Sequence, residues 1–157
     1  IDAFECRHDI LAALDELTQQ VKTLEKQIQS QQQGTASELL TDIAKQAVEL
    51  KSGSGIGIFS IVENQPMPVL KDLADRLVDQ FSDSVIILGS SMNEKGHVVV
   101  KVSRSLLDRF KAPDLINELT AITGGGGGGR DQMAQAGGVQ HSKLPDGIHF
   151  LSDRYLN

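Results

Sequence analysis

Six consecutive glycines, Gly124 to Gly129, limit more than any other feature what this chain can fold into. A segment without Cβ atoms offers no side chain to a core. Each glycine held in an ordered element also costs roughly 0.5–1 kcal/mol relative to alanine. One reading is a flexible linker, the usual meaning of a polyglycine tract. The other is an ordered segment whose bare backbone must approach something. Serine is absent from the run, its flanks are apolar, and a second small-residue cluster, Ala134 to Gly138, follows closely. These favour the ordered reading. Successive backbone N–H groups without side chains form a concave anion site, and Arg130 can add a charge-assisted fork to a phosphate oxygen. The run is neither a P-loop nor a dinucleotide fingerprint, because no Gly-Lys-Ser/Thr is present and the pattern before it is helical.

At the other end of the chain, Ile10, Leu14, Leu17, Val21, Leu24 and Ile28 alternate spacings of four and three. This is a heptad seam of about three repeats. It fades into Gln31-Gln32-Gln33 and meets Gly34, a good helix stop. Thr35 and Glu38 have capping-box spacing, and Ala36, Leu40, Ile43, Ala47 and Leu50 supply a second helical face. The expectation is an N-terminal antiparallel helical hairpin, coiled-coil-like, over residues 1–52. Its first helix of about 28 residues would reach about 40 Å at 1.5 Å per residue.

Residues 53–157 read as a globular glycine-rich α/β (α+β) domain with a small mixed sheet and packed helices. Ile56–Val62 and Val85–Leu88 are short β-branched-rich runs, and Val98–Val102 is a third. Pro68 suits the first turn of a helix ending near Asp83. Eight to nine residues around Asn93–Gly96 look like a hairpin connection. Helical pattern returns at Ser105–Phe110, at Pro113–Ile122, and from about Pro145 to Tyr155. The order is β-α-β-β-α with a final helix.

Net charge is −6, which argues against indiscriminate nucleic-acid binding. The distribution is uneven. Residues 95–111 hold Lys95, Lys101, Arg104, Arg109 and Lys111 against Asp108 alone. This cationic island reads either as the solvated surface of a strand and a helix or as an anion-binding patch beside the glycine run; on the second reading the candidate phosphate-contacting residues are Gly124, Gly125, Gly126, Gly127, Gly128, Gly129, Arg130, Lys101, Arg104 and Lys111. Catalytic and metal-ligating residues are not expected. His8, His97, His141 and His149 lack paired zinc spacing, and Cys6 is alone, so neither a disulfide nor a Cys-rich zinc site forms within the chain. Cys6 and His8, two apart on a helix, point to different faces. No apolar run of about 18 residues is present, so no membrane partner is expected. Opening on Ile1 without a signal-peptide pattern, the chain reads as part of a longer cytoplasmic polypeptide.

The run Gly124–Gly129 with Arg130 and Met133-Ala134-Gln135-Ala136-Gly137-Gly138 resembles the glycine-rich signature at the C-terminus of alanyl-tRNA synthetases. That signature typically reads polyglycine, Arg, Pro, one variable residue, Met-Ala-Gln-Ala-Gly-Gly; Asp131 stands here where the Pro is usual. The resemblance implies a tRNA-binding accessory domain, without catalysis of its own, of an alanine–tRNA ligase. It would contact the outer corner, or elbow, of a tRNA whose identity as tRNA-Ala comes from the family alone. It would link the aminoacylation and editing domains and contribute a homodimer contact through the helical arm. No cofactor is expected in this chain; ATP, Mg and Zn would belong to the parent's other domains. The same globular domain accompanies phosphoesterases with an Asp-His-His motif, in which the glycine loop binds substrate phosphates. A His within or just after the run is usual there, and Arg130 stands in its place. A purely structural dimerisation arm is the third reading.

Overall fold

The computed structural model describes residues 3–156, with side chains described for residues 9–27 and 37–156. The chain divides into two compact units, residues 1–38 and 39–157.

Helix α1 runs without interruption over Ala3–Ala44. The fold-back expected at Gly34 is therefore not formed, and the helical hairpin is replaced by one long helix. One glycine in a helix interior costs only about 1 kcal/mol relative to alanine, too little to force a stop. The side chains of Cys6, His8, Ile28, Gln31–Gln33 and Thr35 lie outside the described residues. Of the seam, Ile10, Leu14, Leu17, Val21 and Leu24 are exposed, at 52–59 %. The helix ends at Ala44 rather than near Lys51. A turn follows, then the two-residue strand β1 (Val48–Glu49).

In residues 39–157 the elements continue as β2 (Ile56–Glu63), α2 (Met67–Gln80), β3 (Ser84–Met92), β4 (Lys95–Val102), α3 (Ala112–Thr123), β5 (Gly126–Arg130), β6 (Met133–Gln140) and α4 (Leu144–Tyr155). They form one mixed sheet in the order β1-β2-β3-β4-β6-β5. β2 and β3 are parallel, joined through α2, and every other pairing is antiparallel. The mixed sheet with packed helices is as expected. Three strands, β1, β5 and β6, were not. The β3–β4 connection is also tighter than expected: both strands extend to a two-residue turn, Asn93-Glu94, with φ of 52° and 63°. Both residues with positive φ match a type I′ hairpin turn.

Period-two alternation assigns the sheet faces. Val85 and Ile87 of β3, Val98, Val100 and Val102 of β4, and Ala134 and Ala136 of β6 pack with Leu115, Ile116 and Leu119 of α3 and Leu144, Ile148 and Leu151 of α4 in the main core. Ile86, Leu88 and Val99 face the other way, where α2 presents Leu70, Leu73, Ala74 and Leu77, all fully buried. Leu50 joins the main core and bridges to Leu156. Lys51 N–H donates to the Tyr155 carbonyl at 2.9 Å. The Tyr155 hydroxyl donates to Glu118 at 3.0–3.1 Å, which fixes the end of α4 to α3.

Candidate nucleic-acid interface

The glycine run is a strand. β5 pairs only with β6 and closes the sheet at that edge, with Gly126 opposite Gly137 and Arg130 opposite Met133. All five of its residues are exposed. Before it, Gly124 and Gly125, with φ of 75° and 86°, turn the chain out of α3 in a conformation that L side chains rarely adopt.

Within the strand the glycines divide by alternation. A Cβ on Gly127 would sit 2.8 Å from Cα of Ala136, and closer still to the Gln135 carbonyl oxygen. A Cβ on Gly129 would lie 2.5 Å from Cα of Ala134 and against the Met133 carbonyl oxygen. These two glycines are required by the close approach of β5 to β6. On Gly126 and Gly128 a Cβ would meet nothing within 4 Å. The fold leaves room for a side chain at both positions.

Beside this edge lies a cleft of about 950 Å3, lined by Lys71, Lys101, Leu107, Met133 and the stretch from Gly128 to Arg130, among others. The sheet geometry explains it. Lys101 pairs with Met133, and Arg130 pairs with Met133 in turn. These residues lie on the face that α2 covers over β3 and β4. Among the described residues no helix covers that face over β6 and β5, whereas α3 covers the opposite one. The cleft is the uncovered remainder.

Three cations line it. Arg130 is exposed and Lys71 is partly buried. The Lys101 side chain is 22 % exposed and forms an ion pair with Asp75 of α2. Burial lowers the pKa of its ammonium group. Lys111 does not line the cleft, but the next residue ties it to the hairpin: Ala112 N–H donates to the Asp131 carbonyl at 2.9 Å. Arg104 is exposed on a short 3-10 turn outside the lining. Arg109 donates to the Ser54 hydroxyl at 2.6 Å. The fold thus brings Lys101 and Arg130 together with Gly128 and Gly129, keeps Lys111 near, and leaves Arg104 apart. Lys71 was missed by sequence reasoning. It lies in an acidic stretch of α2, and only the pairing of β4 with β6 brings it to the glycine strand. Among the described residues, no group of three or more His, Cys, Asp or Glu is placed to hold a metal ion, and no helix is long and apolar enough to cross a membrane.

A family model of the DHHA1 domain matches residues 57–156. The chain is 33% identical over 144 residues to the alanine–tRNA ligase of Desulfosudis oleivorans, covering 92% of this chain and 16% of that protein. To the alanine–tRNA ligase of Pseudomonas entomophila it is 32% identical over 142 residues, covering 90% and 16%. The chain therefore spans about one-sixth of the length of these curated relatives. Among solved structures, it superposes on the C-Ala domain of Aquifex aeolicus alanyl-tRNA synthetase with a TM-score of 0.62 and 28% identity, over 68% of this chain and 95% of that one. A DHH-domain protein described as a member of the s1p family of ribosomal proteins shares the fold, with a TM-score of 0.51 at 13% identity, over 80% of this chain and 32% of that one.

Proposed function

The chain belongs to the DHHA1 domain family, and on that premise we propose that it is the tRNA-binding accessory domain of an alanine–tRNA ligase, gripping the RNA backbone with its glycine edge and the adjoining cleft. The observation that carries this reading is the pair Gly126 and Gly128. The fold has room for a side chain at both positions, and neither has one. A bare backbone open on its outer side suits a ligand that must come within hydrogen-bond distance of main-chain N–H groups. Phosphate is such a ligand, and Lys71, Lys101 and Arg130 supply the charge beside it. Structured RNA is recognised by shape and backbone in this way.

The relatives' name supplies alanine as the tRNA's identity. On this reading the contact falls on the outer corner of the tRNA, and the domain links the parent's aminoacylation and editing domains in the cytoplasm. ATP, Mg and Zn belong to those domains. The exposed apolar stripe Ile10–Leu24 on α1 favours a further role, a homodimer contact through the helical arm. A phosphoesterase role fits less well, because Arg130 stands where a His would be expected.

The test is fluorescence anisotropy of a labelled tRNA-Ala transcript with the 157-residue chain at low salt, with footprinting of the bound RNA. Binding that weakens with salt, falls with Arg130→Ala and protects the elbow supports the proposal. A folded chain that binds no tRNA at about 50 mM salt contradicts it.

A further inference from the structure

We propose that Asp75 is an internal competitor for RNA: it holds Lys101 in the unbound protein, and binding exchanges its carboxylate for a phosphodiester oxygen. This inference rests on the reading of the cleft as an RNA-backbone site and adds a control on its affinity.

The geometry separates the two partners. Lys101 rises from β4 into the cleft wall, and Lys71 of α2 lines the same wall. Asp75, one helical turn after Lys71, does not line the cleft, yet it forms an ion pair with Lys101. Asp75 thus stands outside the lining and is joined to it through Lys101. Exposure is also unequal, at 22 % for the Lys101 side chain and 52 % for that of Asp75. The ammonium is the confined partner, and the carboxylate is the one that water can receive. An exchange needs that asymmetry: the cation stays at the wall while its partner turns outward. The partly buried Lys101 gains from an anion beside its ammonium group. Asp75 supplies that anion in the absence of RNA.

The other charges at the cleft set the scale. Lys71, Lys101 and Arg130 bring three positive charges, and Asp131 in the hairpin turn brings one negative. With Asp75 counted, the net is +1, three less two. The site is thereby weaker toward phosphate than its cations alone would make it, and release of RNA is helped because the Asp75–Lys101 pair can re-form.

The experiment is an anisotropy titration of the 157-residue chain against a fluorescent tRNA-Ala transcript, between about 50 and about 200 mM salt. Asp75→Asn is expected to tighten binding about two- to fivefold at low salt. It should also steepen the logarithmic salt dependence by up to about 0.9. Asp72→Asn is the control: it removes one charge from the same helix, but Asp72 pairs with Arg76 at 3.0 Å, not with Lys101. Its affinity should stay near that of the wild type. In a Lys101→Met background the effect of Asp75→Asn should vanish. Three results overturn the exchange while leaving the RNA reading intact: no tightening by Asp75→Asn in a chain that binds tRNA, equal tightening by Asp72→Asn, or persistence of the effect with Met at 101. A folded chain that binds no tRNA with either Asp or Asn at 75 brings down the RNA reading, and the exchange with it.

Discussion

The sheet contains two antiparallel hairpins, each closed by a two-residue turn, and they are built on opposite terms. The β3–β4 hairpin is made of side chains. Val85 to Leu88 and Val98 to Val100 are all buried, with both faces covered by helices. Its turn, Asn93-Glu94, takes positive φ at both positions. The β5–β6 hairpin has almost no side chains on its outer strand, and that strand is exposed along its length. Its turn, Asp131-Gln132, has no positive φ. One hairpin gains its stability from apolar burial. The other is held by strand pairing and by Ala134, Ala136 and Val139 of its inner strand, which leaves the outer strand available for an outside partner. A sheet edge is ordinarily blunted by charge, proline or cover. Here the outer edge keeps its main-chain groups accessible.

The largest expected effect lies in the buried hairpin. Ile87→Ala should cost about 2–5 kcal/mol in denaturant unfolding, through a cavity beneath α3 and α4. RNA affinity should be unchanged under conditions where the variant is folded. Next comes Gly129→Ala. Its new methyl falls against the Met133 carbonyl and Ala134 Cα, so a loss of about 1–3 kcal/mol is expected, together with loss of RNA binding. If both variants unfold with equal loss of binding, the two hairpins are not separable and the contrast fails.

The turns give a smaller pair of opposite sign. Glu94→Gly relieves a left-handed non-glycine residue and should stabilise by about 0.5–1 kcal/mol. Asp131→Gly has no such strain to relieve and should destabilise by up to about 1 kcal/mol. Thermal melts of the two single variants check the sign. At the bottom of the scale, Arg104→Ala lies outside the cleft and should change tRNA affinity by less than about twofold. Arg130→Ala should do clearly more in the same titration.

Legibility in the sequence followed the side chains. β2, β3 and β4 announce themselves by β-branched runs, and α2, α3 and α4 by Pro-led helical spacing. β5 has no side-chain pattern to read, because glycine carries none. β6 does carry alternation, at Ala134 and Ala136, but the residues are small, and the phase shifts before Val139. Gly138, with φ of 67°, is the extra residue at that irregularity: Gly96 faces Val139 while His97 faces Gly137. The stop expected at Gly34 failed because local capping signals compete with a helix that extends on both sides. At the site, the glycine run and Arg130 were visible as a motif. Lys71 and the Asp75–Lys101 pair were not, because they depend on which strand lies next to β4. Nearness in sequence groups Arg104 with Lys101, and the fold separates them.

The measurement that bears most directly on the account is tRNA affinity for Gly128→Val, read beside its unfolding midpoint. A Cβ there meets nothing in the protein, and valine suits a strand. The account predicts an unchanged or slightly higher midpoint. It also predicts affinity at least about tenfold weaker, the scale of one charged hydrogen bond lost to a main-chain donor. Wild-type affinity in a folded Gly128→Val chain would contradict the claim that RNA approaches the bare edge of β5.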